Sequence, residues 1–116
     1  MVKRPSDLRR ELIHELKGGK GTIELNHFFE TADFHGTGRL YGISIIQPGD
    51  SIGMHQHVGD QEAYFILEGE ALYYDNDQPY KLKPGDFTLC RDGESHSIAN
   101  AGDTDLKYVA LIMYTT

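Results

Sequence analysis

Two histidines one residue apart, His55 and His57, followed by Glu62 in "MHQHVGDQEAYF", form the stretch of this 116-residue chain with the greatest capacity for chemistry. Side chains alternate along an extended strand, so both imidazoles leave one face while Gln56 leaves the other. Imidazole nitrogens bind divalent transition ions, and two on one face can share an ion. If "VGDQ" is a hairpin turn and the chain returns antiparallel, Glu62 opens the next strand beside the pair and adds a carboxylate. A fourth ligand is available in His96, at the head of the run "SHSIAN" that follows a glycine-containing turn. The expected site is therefore one divalent transition metal, Mn, Fe, Ni or Zn, held by His55, His57, Glu62 and His96. Such a shell leaves positions open on a six-coordinate ion and carries a net charge of about +1, which favours an anionic small-molecule ligand.

Alternation carries Glu62 inward and places Tyr64 on the same face, one step deeper. Its phenol is a catalytic acid or base beside the metal, or else a hydrogen-bonded wall residue. The preceding run, "RLYGISII", offers two faces to the pocket: Tyr41, Ile43 and Ile45, or Leu40, Ser44 and Ile46. Sequence leaves that choice open. Arg39 and Lys107 are the cations that could reach the interior, Met54 is expected to pack, and Asn100 to fix a turn. His14, His27 and His35 have no partner spacing and are expected to be structural.

The elements that must position these groups are mostly strands. From Thr22 onward, short runs rich in β-branched, aromatic and aliphatic residues ("TIELNHFF", "EAYFILE", "EALYYD", "LKYVALIMY") alternate with turn signals such as "QPGD", "KPGD" and "RDGE". That pattern predicts an all-β sandwich or barrel over residues 22–116. Residues 1–21 are expected to form a short helix and lead-in. Ser6 can cap that helix, Leu8, Leu12 and Leu16 recur every four residues, and Gly18 and Gly19 end it.

Eleven basic against eighteen acidic residues, a formal charge of −7, argue against nucleic acid as a partner. No apolar run approaches membrane-spanning length, so no membrane partner is expected. The single cysteine, Cys90, cannot form an intramolecular disulfide and reads as a small buried hydrophobe, which makes the cytoplasm the expected location.

The motifs resemble those of a small single-domain cupin. That family's first motif is met by Gly49, His55, His57, Glu62 and Gly69, and its second by Gly85, Gly93, His96 and Asn100, with Arg91 where the family has proline. The resemblance implies a jelly-roll β-barrel with the metal inside one mouth and frequent homodimers. It does not imply one reaction, because cupins include dioxygenases, decarboxylases, isomerases, lyases and binding domains. The functional expectation is a mononuclear metalloenzyme acting on a small carboxylate, enol or diol metabolite, the alternative being a non-catalytic metal-dependent binding or sensing module. A homodimer is also expected because "LKYVALIMY" is apolar on both alternating faces.

Overall fold

The computed structural model describes residues 1–116. Ten strands form two antiparallel sheets packed face to face. The larger sheet has the order β1 (Arg9–His14), β2 (Thr22–His27), β3 (Gly38–Ile46), β10 (Leu106–Tyr114), β5 (Asp60–Glu68), β8 (Phe87–Cys90). The smaller has the order β4 (Ser51–Gln56), β9 (Ser95–Asn100), β6 (Ala71–Asp75), β7 (Gln78–Leu82). The arrangement is a jelly-roll barrel. Every strand run read from the sequence has a counterpart here, because apolar alternation and Gly/Pro/Asp turns both act locally.

Between the sheets, Ile23, Ile46, Ile66, Leu106 and Tyr108 of the larger meet Ile52, Ala71, Tyr73 and Ile98 of the smaller. This core fills one end of the barrel and leaves the other end open. On β3 the inward face is Leu40, Ser44 and Ile46, since these lie opposite Ile112, Tyr108 and Leu106 of β10, whose side chains are buried. Tyr41, Ile43 and Ile45 face outward.

The expected N-terminal helix does not form. Residues 9–14 are strand β1, flanked by single 3-10 turns at Pro5–Asp7 and Leu16–Gly18. The four-residue leucine spacing suits a helix, but an isolated helix of this length is marginal in water. Along the open edge of β2 the same residues make six register pairs, from Arg9↔His27 to His14↔Thr22, and satisfy that strand's free ladder. Arg10 bridges to Glu24 at 2.8 Å across the pair. The cost is visible in Leu12, left 48% exposed.

The expected hairpin between His57 and Glu62 is also absent. β4 and β5 lie in different sheets, and residues 57–59 carry the chain across the barrel mouth.

Candidate metal centre

His55 and His96 come from the smaller sheet, His57 from the first residue of the crossing, and the carboxylate from the larger sheet. β4 pairs with β9 so that His55 lies opposite His96, and β5 brings Glu62 from across the gap. The register of β4 matters here. Ile52 pairs with Ile98 and His55 with His96, so three steps on β4 face two on β9. This bulge lets Ile52 pack in the core and His55 still point inward; strict alternation would have put them on opposite faces. Gly53 sits inside the bulge.

All four residues converge. His96 Nε2 lies 3.1 Å from His57 Nε2, 3.1 Å from His55 Nε2 and 3.1 Å from Glu62 Oε1, and His57 Nε2 lies 3.2 Å from the same oxygen. His96 is fully buried, His57 and Glu62 nearly so, and His55 half-buried. The other ring nitrogens are all engaged. His57 Nδ1 donates to Asp60 at 2.7 Å, His55 Nδ1 to the Gly53 carbonyl at 2.7 Å, and His96 Nδ1 meets the Tyr73 hydroxyl at 2.9 Å. Asp60 and the Gly53 carbonyl can only accept, so Nδ1 of His57 and of His55 carries a proton, and in the neutral rings the Nε2 lone pair is left for a metal at the common centre. Such outer partners orient metal-binding imidazoles and raise their basicity. The cluster is fit for a metal ion.

Electrostatics follow the same contacts. Burial opposes charge on Glu62, but the hydrogen bonds and charge of His57 and His96 outweigh it and bring the carboxyl down to about 2. The bond to Glu62 raises His57, whereas desolvation lowers His55. Tyr64, stacked on His96 with ring centroids 5.1 Å apart, donates its hydroxyl to Glu62 Oε1 at 3.0 Å. Burial first, then the Glu62 charge, push its phenol well above the ordinary value, so it holds its proton firmly.

The cluster opens into a cavity of about 450 Å³. Its walls contain residues the sequence reading passed over. Glu11, Ile13, Leu16 and Lys17, from the segment expected to be a helix, close one side; His27 joins them and donates its Nε2–H to Glu11 Oε1 at 2.8 Å. No local signal marks these, because the edge pairing of β1 brings them there. Asp60 was readable, since it lies two residues before Glu62 on the same strand face. Arg39 lines the mouth and donates Nε to Asp60 at 3.0 Å. Alternation would turn it outward, but β10 slips between Ile112↔Leu40 and Met113↔Gly38, and the unpaired Arg39 is re-aimed by the bulge. Lys107 instead meets Glu68 at 3.5 Å outside the pocket. Met54 does not pack and is half exposed. Asn100 fixes its turn as expected, donating to the Ile46 and Thr104 carbonyls and accepting from Gly102 N, each at 2.8 Å. His14 bonds Thr22 at the edge and His35 is exposed in a left-handed turn.

A jelly roll whose mouth holds three histidines and a glutamate defines a class, and the cupin domain model matches residues 42–112. The chain belongs to the cupin family. It is 41% identical over 113 residues to the oxalate-binding protein of Thermotoga maritima, covering 97% of this chain and 93% of that one. A Thermotoga maritima crystal structure described as a predicted oxalate decarboxylase superposes with a TM-score of 0.93 at 40% identity, covering 98% of this chain and 99% of that chain. The polyketide cyclase RemF of Streptomyces resistomycificus, 18% identical with a TM-score of 0.78 over all of this chain and 81% of that one, shares the fold.

Proposed function

We propose that the chain binds one divalent transition metal through His55, His57, His96 and Glu62, and that the loaded site captures a small carboxylate and turns it over. The observation carrying this is the convergence of three Nε2 atoms and Glu62 Oε1 while each Nδ1 is held from behind. Three imidazole nitrogens and one carboxylate oxygen suit Mn, Fe, Ni and Zn, and the oxygen in the donor set favours the first three. When bound, the ion supplies Lewis acidity, or a place for dioxygen if it is iron.

The chain's own residues do the rest. Asp60 and Gly53 aim His57 and His55, Tyr73 aims His96, and Tyr64 orients Glu62. Tyr64 also stands where its firmly held proton can be offered as a hydrogen bond to a ligand oxygen beside that carboxylate. The net positive shell selects an anion, in keeping with the oxalate-binding relative. That relative's name also favours a second reading, capture without turnover. A reducing, cytoplasmic setting suits the lone buried thiol of Cys90.

A second copy of the chain is the proposed cover for the outer face of the larger sheet. Ile43, Val109, Phe65 and Phe87 form one apolar row across β3, β10, β5 and β8, with Phe87 62% exposed.

Metal analysis of protein purified without chelator tests the first proposal. About one ion per chain is expected, with little in a folded His55→Ala/His57→Ala variant; undiminished content there defeats it. Calorimetry with oxalate on loaded and stripped protein, followed by a turnover screen over small carboxylates, separates enzyme from binder.

A further inference from the structure

We infer that the natural ligand is an amphipathic carboxylate: a metal-binding carboxylate head joined to an uncharged apolar body of aryl or branched-alkyl size. This rests on the proposed reading of the metal site. The cavity of about 450 Å³ exceeds the needs of a two-carbon diacid, since each water it could hold takes about 30 Å³. Beyond the ligand cluster the apolar part of its lining includes Ile13, Leu16, Leu25, Leu40, Ile52 and Ile112. Water against that surface is unfavourable, and an apolar body would replace it.

The polar groups in the wall point to the same ligand. A second carboxylate on the body would need a cation among the apolar walls, yet His27 is joined to Glu11 at 2.8 Å, and Arg39, half-exposed at the mouth, gives its Nε to Asp60 at 3.0 Å and keeps only its terminal nitrogens free there. Lys17 is exposed on the rim, where it attracts an anion to the mouth without seating one inside. Ser44 and Tyr108 also line this wall, neighbours in register across β3 and β10 with both residues fully buried, and neither offers a charge to a second carboxylate.

The segment absent from the sequence-level picture of the site carries part of this wall. Leu16 lies in the turn held against β4, where a Cβ on Gly53 would stand 2.0 Å from the Lys17 carbonyl oxygen. The turn is therefore seated by direct backbone approach, and Leu16 overhangs the cavity from it.

Pyruvate and phenylglyoxylate share the 2-oxo carboxylate head and differ in carrying a methyl or a phenyl group, so calorimetry of the two on metal-loaded protein, with oxalate alongside, isolates the body. Phenylglyoxylate is expected to bind at least about tenfold tighter than pyruvate, the return for burying an aryl face. Leu16→Ala should shrink that ratio to about threefold or less, with metal content measured alongside. Equal or weaker binding of phenylglyoxylate, while oxalate or pyruvate binds only the loaded protein, overturns the inference and leaves the metal-carboxylate reading standing. If all three bind loaded and stripped protein alike, or none binds, both are overturned.

Discussion

Asp60→Asn tests whether the group behind a metal-facing histidine matters as the geometry requires. Asp60 is 6% exposed and accepts from His57 Nδ1 at 2.7 Å and Arg39 Nε at 3.0 Å. An asparagine oxygen can still accept from His57, but as a neutral partner. Hydrogen bonds to charged groups contribute about 1.5–3 kcal/mol and neutral ones about 0.5–1.5, so the exchange loses about 1–1.5 kcal/mol. The Arg39 bond adds little, because its side chain is 50% exposed and solvent replaces the contact. A loss of that size is close to tenfold in metal affinity, the lower end of the range seen for such supporting residues. Competition against a chromophoric chelator measures it, with thermal melting as the control for folding. Arg39→Gln should shift metal affinity by no more than about threefold. A folded Asp60→Asn protein within about twofold of wild type would refute the idea that Asp60 tunes His57.

Three further outcomes are expected. Gly53→Ala forces a methyl into the Lys17 carbonyl and should cost about 1–3 kcal/mol by chemical denaturation; an unchanged midpoint would mean that the 16–18 turn is not seated on β4. With a substrate in hand, Tyr64→Phe should lower turnover by about a hundredfold at unchanged metal content, and normal turnover would leave Tyr64 as an orienting wall residue. Sedimentation at micromolar concentration should give about twice the chain mass of 13.1 kDa, and Val109→Glu, in the middle of the apolar row, should return it to monomer; a monomeric wild type rejects the dimer.

Strand runs, their turns and the four converging residues were legible in the linear chain because each depends on local pattern. Alternation puts His55 and His57 on one face, and the run "SHSIAN" presents His96 whatever its partner. Tertiary structure decided how these elements meet. The hairpin expected between His57 and Glu62 is a crossing between sheets, so the site spans the barrel mouth instead of lying on one ribbon. Residues 9–14, helical by leucine spacing, became an edge strand because β2 offered a ladder to satisfy, a non-local partner that no window of sequence contains. Two one-residue slips, at Gly53–Met54 and at Arg39, reversed facing in ways that period-two reasoning cannot see. The chain by itself determined which groups could hold a metal. Packing of one sheet on the other, with the N-terminal strand added at its edge, decided the walls, the mouth and therefore the space left for a ligand.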